Sequence, residues 1–555
     1  MVSKTRGEKL PLEWTRSIVR RIQLINNHFA MKLPTKILSR IWLSLIALIV
    51  VFIVAGVVKG NDGNPYEADL NTPEWKDNGP LELSPDRGRY ALTYSVAENK
   101  SVFYSIPVAQ FATPDLGYKD GKYVSLFAPA VSFIVLPGYL IGKAFNLAQV
   151  GTIAVVAIFA IANFWLIFLL AKRLTQKTWA SLMAAITFLF ATPAFAYSGS
   201  LYQHHISTFL ILVSIYIYQK QKGFLGLSLI WFLVALSVPV DNPNLFMMAP
   251  IGIASIFRII NFKTVKERIE VRIKWTLLAT FATVIIPVSG FMYFNYLSYG
   301  SPFQLAGTVA SVKAVDNSGK PTLPSDVGTE DVNKILNPDL QTKSAVSFFD
   351  TRNALEGFYV HTISPDRGIL YYAPVLLLAV LGMFLAFKKN KEIFNILMSV
   401  FAVNLLLYSM WGDPWGGWAF GSRYLIPSYA ILAIFIGIVL AHWSKKYWIY
   451  AIFVPLLFVS FAVNTIGALG SNRNPPQVEV LALEELSGQV QKYTVERNWD
   501  FIQSKSKSYI YSKYFVNHIT PVEYFYILLA TLSGISILLL VLNFFEKGGK
   551  ENERN

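Results

Sequence analysis

The chain has 555 residues, 54% of them hydrophobic and 15% charged, with a formal net charge of +15 and a mean hydropathy of +0.43. That balance, with apolar runs long enough to cross a bilayer, is the composition of an integral membrane protein and excludes an ordinary soluble domain. The basic excess is spread over loops beside apolar runs, which assigns it to topology and anionic lipid rather than nucleic acid, and the lack of cysteine excludes disulfides, thiolate catalysis and cysteine metal sites.

Residues 1–40 carry nine Lys or Arg against Glu8 and Glu13 and read as a basic cytoplasmic segment. The apolar run Ile41 to Val58 has no small-residue cleavage motif after it, so a retained first span is expected, amino end in the cytoplasm. Further spans are expected at 151–171, 179–197, 204–219, 223–240, 243–259, 275–294, 370–387, 394–410, 425–441, 447–465 and 524–544. The expected fold is therefore an all-α polytopic membrane protein of about 12 transmembrane helices, whose external loops carry short amphipathic or interfacial helices.

The apolar segment Leu126 to Leu147 is not counted as a span. If it crossed, five basic loops would turn outward: Lys172/Arg173/Lys177, Lys220/Lys222, 258–274, Lys388 to Lys391, and Lys445/Lys446. Its Pro129, Pro137 and Gly138 suit a broken segment lying on or dipping into the outer leaflet. A thirteen-segment alternative places the carboxyl end outside. The preferred topology puts both termini in the cytoplasm and the polar loops 60–150, 295–369, 411–424 and 466–523 outside. Four parts follow: the basic segment 1–40; a core, 41–465, that includes external loops 60–150 and 295–369; an external polar and amphipathic region, 466–523; and a last helix with its tail, 524–555. Within 466–523, an amphipathic surface helix followed by an interfacial hairpin or strand is expected.

The string SPDRG occurs twice, at Ser84 to Gly88 and Ser364 to Gly368, and a related TPD stands at Thr113 to Asp115. Each is expected to open a helix, with Ser or Thr capping, Pro at the first position and Asp86, Asp366 or Asp115 on the positive end of the dipole. A helix from Pro85 places Asp86, Arg89 and Tyr90 on one face. Beside arginines, Asp86 is expected to stay ionised and to act as a base, while Arg87 and Arg89 offer donor forks for phosphate. His204 and His205 follow at the junction of two spans; adjacent histidines cannot share a helical face, so they are not expected to chelate one ion by themselves. Asp241, in the turn VPVDNPN, suits either the same face or a turn.

In the turn WGDPWGGWAFGSRYLIP, residues 411–427, Trp411, Trp415 and Trp418 with Asp413, Arg423 and Tyr424 resemble a platform for an isoprenoid phosphate or a sugar ring, and Arg423 is a charge that must find a partner at the start of a span. Local explanations compete throughout: helix capping for the Asp residues, an interfacial belt for the Trp residues, solvated cap ionics for Arg87.

The strings SPDRGRYALTYSVAENKS, TPDLGYKDGKYVSLFAPAVSFIVLP, FNYLSYGSPF, SPDRGILYYAPVLLLAVLG and WGDPWGGWAFGSRYLIP span residues 84–427. Through them the chain resembles the GT-C superfamily of polytopic glycosyltransferases, in the protein-mannosyltransferase and lipid A aminoarabinose-transferase-like group. The resemblance implies transfer, with inversion, of a sugar from a polyprenyl-phosphate-linked donor to a lipid, glycan or protein hydroxyl at the outer face of a prokaryotic plasma membrane. It assigns the catalytic acidic residue of the first external loop to Asp86, acting as base, where the group usually carries two adjacent acidic residues and this chain has Asp86-Arg87. Membrane lipids are expected partners and nucleic acid is not. No cofactor is expected to be obligatory; Mg²⁺ or Mn²⁺ is left open, should Asp86, Asp115 and His204 or His205 converge. Two alternatives remain at this point: a transporter or lipid flippase, and a catalytically inactive scaffold of the same fold.

Overall fold

The computed structural model describes residues 35–265, 268–322 and 348–552; most of the basic segment 1–40 and part of the expected external loop 295–369 lie outside the described residues. The chain divides into two units, Met1–Phe52 and Ile53–Asn555. The described part of the first unit is helical and belongs to α1 (Thr35–Ala55).

The second unit continues with α2 (Ser84–Glu98), α3 (Ile106–Ala112), α4 (Ala130–Ala144), α5 (Ala148–Thr175), α6 (Thr178–Phe190), α7 (Ala194–Ser198), α8 (His204–Lys220), α9 (Phe224–Val240) and α10 (Asn244–Ile259). After these come α11 (Trp275–Leu278), α12 (Ile285–Tyr299), α13 (Ala354–Thr362), α14 (Ile369–Tyr372), α15 (Ala379–Lys389) and α16 (Lys391–Ser409). The last are α17 (Ile426–His442), α18 (Tyr447–Leu469), α19 (Gln477–Ser487), α20 (Val495–Ile502) and α21 (Pro521–Asn552).

Helix α17 is the axis of the bundle. Its sequence IPSYAILAIFIGIVLAH is apolar on every side, and a helix of that kind is stable only when enclosed by others. Every residue from Ile426 to Ala441 is buried, and α5, α6, α8, α15 and α16 all pack against it. The longest fully described neighbour, α5, ends with Lys172 and Arg173 in its last turn, where the carbonyl end of the dipole favours cations; Gln176, at φ 59°, closes it in a left-handed conformation.

Among the described residues, six segments are long and apolar enough to cross a membrane by length and composition: Ala148–Thr175, Trp275–Tyr299, Lys391–Ser409, Arg423–His442, Tyr447–Leu469 and Pro521–Val541. Each coincides with an expected span. The other six expected spans fall on shorter or interrupted helices, among them α6, α8, α9 and α10 and the segment 369–389, which breaks into α14, a 3₁₀ turn and α15. The uncounted segment Leu126 to Leu147 forms α4, a 15-residue helix containing Pro137. At 1.5 Å per residue it is roughly 22 Å long, short of the ~30 Å hydrocarbon core. It lies along α5 with Gly138 and Gly142 against Gly151; a Cβ on Gly151 would collide with the Gly138 carbonyl and the Gly142 Cα.

Several expectations are corrected. The stretch 260–273, read as part of a basic loop, forms a hairpin of β3 (Ile260–Val265) on β4 (Arg268–Ile273). RIEVRI alternates charged and apolar residues at the period of a strand, a signal masked by counting only its charges. A second small sheet pairs β1 (Leu116–Lys119) with β2 (Lys122–Ser125) and β5 (Ser311–Val312); a third pairs β6 (Ala314–Val315) with β7 (Pro321–Thr322). In 466–523, α19 is followed by α20 and a π-helical turn, Tyr511–Phe515, rather than a hairpin; one isolated bridge joins Ser508 to Lys59.

Of the three Ser/Thr-Pro-Asp sites, only Ser84–Gly88 opens a helix. Even there Ser84 does not cap: its hydroxyl donates to Asp115 at 2.5 Å. Asp115 precedes a strand instead of entering a helix, and Ser364–Gly368 forms a turn ahead of α14, held by the Gly368 N–H on the Ser364 carbonyl at 2.7 Å.

Candidate functional site

The first turn of α2 forms one wall of an open cleft of about 520 Å³, part of it continuous with solvent, lined by Pro85, Arg89, Phe127, Tyr202, Gln203, Asp241, Pro243, Tyr408, Trp411, Arg423 and Tyr424. Pro85 fixes the start of the helix, and one turn on, Arg89 turns back over it, its Nη1 donating to the Pro85 carbonyl at 2.8 Å. Its Nη2 donates to Gln203 Oε1 at 2.6 Å, and Gln203 Nε2 in turn donates to Asp241 Oδ2 at 3.0 Å. Arg89 Nε has no partner. The guanidinium carbon lies 4.9 Å from the centre of the Phe127 ring and 5.8 Å from that of Tyr202.

The opposite wall is the end of the Trp-rich turn. Arg423 reaches the same Tyr202 ring, with its guanidinium carbon 4.8 Å from the ring centre. Nη2 donates to the Gly416 carbonyl at 2.7 Å, while Nε and Nη1 are buried without a hydrogen-bond partner. Two guanidinium groups thus converge on one phenol, each with unpaired donors. Two like charges are held this close only where an anion or carboxylates offset them. Tyr424 stacks on Tyr408 at 4.2 Å, and Trp411 adjoins Tyr408 and stacks on Phe348 at 5.7 Å, so the wall beyond Arg423 is a run of aromatic rings.

Asp86 lies beneath this lining. It is fully buried, and neither carboxylate oxygen has a hydrogen-bond partner. Burial pushes its carboxyl up to about 8, against the pull of Arg89, Lys59 and Arg423. The expectation of a permanently ionised Asp86 is therefore corrected: loss of hydration outweighs three nearby cations because none of them donates a hydrogen bond to it. Asp241, on the cleft surface, is also raised by burial, opposed by its bond from Gln203 and by Arg89. Glu82 behaves differently. Burial would raise it, but Lys59, Lys507 and the Asn472 N–H bring it below the usual carboxylate range; Lys59 Nζ stands 3.3 Å from Oε2.

One short segment, 472–477, reaches the residues that flank both walls. Asn472 N donates to Glu82 Oε2 at 2.7 Å and Arg473 Nε to the Glu82 carbonyl at 3.1 Å. Arg367 Nη2 donates to the Asn474 carbonyl at 3.1 Å, and Gln477 N to Asp366 Oδ2 at 3.0 Å.

Of the residues expected at a site, the structure brings Arg89, Asp241, Arg423 and Tyr424 to the cleft, with Asp86 below it. His204 stacks on Tyr202 at 5.8 Å and leaves Nε2 unpartnered. His205 turns away: its Nε2 meets the Ala194 carbonyl at 2.8 Å, an internal tie between α7 and α8. Arg87 is not among the lining residues. Its three nitrogens donate to the carbonyls of Phe111, Glu82 and Thr113 at 3.0, 3.1 and 2.8 Å. Tyr90 sits in a ring cluster with Tyr94, Phe111 and Tyr139. Asp115 is held by Ser84 and Lys313, and Asp366 pairs with Arg367; neither lines the cleft. Trp415 contributes its carbonyl to Arg367, while Trp411 takes the lining position.

Of the lining residues, Trp411 belongs to the aromatic platform read from the Trp-rich turn, whereas Phe127 and Tyr408 are not singled out by the sequence reading. Nothing local marks Tyr408, which sits inside an apolar run. Asp86, Asp115 and the two histidines do not converge: among the described residues no group of three or more His, Asp or Glu is placed to hold a metal ion.

No family model and no curated protein matches the sequence. Among solved structures, the chain is similar to the crystal structure of ArnT from Cupriavidus metallidurans in the apo state, at 12% identity and a TM-score of 0.39, covering 91% of this chain and 76% of that one. It is similar to the same protein bound to undecaprenyl phosphate at 12% identity and a TM-score of 0.41, with the same coverage.

Proposed function

We propose that this chain is a glycosyltransferase of the bilayer surface. It would move a sugar from a polyprenyl-phosphate-linked donor to a hydroxyl of a lipid, glycan or protein acceptor, at the outer face of a prokaryotic plasma membrane that it crosses about twelve times with both termini inside. The observation that carries this reading is the convergence of Arg89 and Arg423 on Tyr202, with Nε of one and Nε and Nη1 of the other unpaired. Planar forks of this kind match a phosphate monoester or diester better than an ammonium does. A polyprenyl tail stays in the hydrocarbon because each buried CH₂ is worth about 0.8 kcal/mol, so its headgroup has to be met at the interface.

In the proposed step the acceptor oxygen attacks the anomeric carbon from the face opposite the phosphate. The new C–O bond forms as the bond from anomeric carbon to phosphate oxygen breaks, inverting that centre. The bonding pair leaves with polyprenyl phosphate, whose charge Arg89 and Arg423 meet, and the hydroxyl proton passes to Asp86. A carboxylate near 8 is a stronger base than an ordinary one and still titrates close to neutrality, where general-base catalysis is most effective. Gln203 and Asp241 hold Arg89 in place. The aromatic wall of Tyr424, Tyr408 and Trp411 suits the apolar face of a sugar ring.

The test is transfer by the purified full-length protein from a polyprenyl-phosphate sugar. Asp86→Asn should abolish transfer while polyprenyl phosphate still binds; turnover retained by that variant removes Asp86 as the proton acceptor. The scheme asks for no obligatory metal, so transfer should survive a chelator. Activity lost with chelator and restored by Mg²⁺ or Mn²⁺ overturns that part.

A further inference from the structure

The two SPDRG arginines make the same kind of contact in unrelated surroundings. Arg87 grips three backbone carbonyls beside Arg89, and Arg367 grips the carbonyls of Trp415, Gly417, Asn474 and Asp366. Arg367 is completely buried and also pairs with the Asp366 carboxylate. Trp415 and Gly417 bracket Gly416, whose own carbonyl receives Arg423 Nη2 at 2.7 Å. Arg367 therefore fixes the peptide groups on both sides of the one that anchors Arg423.

The geometry points to Arg367 and Gly416 as positioning residues that aim Arg423 at the phosphate of a lipid-linked ligand, an inference that rests on the cleft reading above. Gly416 meets two demands. It stands at φ 72°, in the left-handed region, and a Cβ there would lie 3.0 Å from the Tyr424 ring and 3.4 Å from Arg423 Nε. Only glycine lets the backbone approach this closely while it holds one nitrogen of the guanidinium and leaves the other two unpaired. Gly417 is the internal comparison. At φ 61° it has nearly the same backbone conformation, but its Cβ would meet only Asp413 Oδ2, at 3.8 Å. Alanine at the two positions imposes similar backbone strain, yet only at 416 does the methyl crowd the Tyr424 ring, whose backbone neighbour is Arg423, and reach contact distance of Arg423 Nε.

The experiment measures binding of a short-chain polyprenyl monophosphate, with the matching polyprenol as control, to the detergent-solubilised full-length protein and its Gly416→Ala and Gly417→Ala variants. The wild type should prefer the phosphate over the alcohol. Gly416→Ala should lose about tenfold or more in affinity for the phosphate with little change for the alcohol, and Gly417→Ala should stay within about twofold of the wild type on both. A thermal melt of each variant separates lost aim from lost fold. Should both alanine variants melt early, Arg367→Lys replaces them: it keeps the charge but not the planar grip, and loss of phosphate preference is expected. Equal phosphate affinity in the wild type, Gly416→Ala and Gly417→Ala overturns the positioning role and leaves the cleft reading intact. A wild type with no preference for phosphate over alcohol overturns both.

Discussion

Replacing Asp86 by Asn puts the electrostatics of the cleft floor to a direct test. The amide matches the protonated carboxyl in size and has no charge, so the variant resembles the wild type held permanently in its low-pH form. In the folded protein burial pushes the Asp86 carboxyl from 3.8 to about 8. Because the fold holds this proton to higher pH than the unfolded chain does, the stabilisation is complete below the ordinary carboxylate range and is lost as pH rises toward 8. A separation of about four units is worth at most ~6 kcal/mol, of which roughly 4 kcal/mol falls between pH 5 and pH 9. For a chain of this length that is on the order of 4 °C in Tm. The assay is a pair of melting curves, wild type and Asp86→Asn, in one detergent at intervals from pH 5 to pH 9. Other groups also titrate, so the quantity that matters is the difference between the two proteins. It should be small at pH 5 and grow in favour of the Asn variant up to about pH 8, then level. Parallel curves across the whole range would refute the buried, proton-holding carboxyl.

Three other substitutions probe the surroundings. Arg423→Gln removes the charge that the cleft aims at its ligand; hydrogen bonds to charged groups contribute about 1.5–3 kcal/mol, so polyprenyl phosphate affinity should fall roughly 10- to 100-fold, read by the same binding assay. Arg87→Lys leaves buried carbonyls at 82, 111 and 113 short of donors and should lower Tm by the equivalent of about 2–4 kcal/mol, with phosphate affinity nearly unchanged in the fraction that stays folded. A proportional loss of affinity would return Arg87 to the ligand. Glu82→Gln leaves Lys59 buried opposite a neutral amide and should destabilise by about 3–5 kcal/mol at neutral pH. Since the folded Glu82 is held below its usual range, its contribution is present above that range and lost as pH falls through the folded value, so the difference between wild type and Glu82→Gln should shrink in acid.

What the sequence conveyed well was one-dimensional: apolar runs, the helix opened by Pro85, and a polar turn with an arginine at the head of a span. Arg423 stands out because a cation at the head of an apolar segment demands a partner, and Arg89 because a helix opened by Pro85 puts its donor fork on one face with Asp86. A guanidinium fork such as that of Arg87 fits phosphate and backbone carbonyls equally, and only the fold shows that the 111–113 carbonyls lie within its reach. SPDRG looks alike at both sites, yet the first copy opens α2 while the second forms a turn in which Arg367 meets the carbonyls of Trp415, Gly417 and Asn474, leaving Asp366 away from the cleft. The protonation of Asp86 depended on the completeness of its burial, which neighbours in sequence do not reveal. Tyr408 enters the site by stacking on Tyr424 across the Trp-rich turn, where spacing along the chain carries no signal.

The contacts made by residues 472–477 bear on how the protein is born. Both arginine-bearing walls are complete in the growing polypeptide once residue 427 has left the ribosome, yet the peptide that ties Glu82 on one side to Asp366 and Arg367 on the other is translated some fifty residues later. A nascent chain can therefore complete both walls of the cleft before the peptide that braces their flanks has been made. A product cut short ahead of Asn472 would lack the ties that run from Glu82 to Asp366 and Arg367.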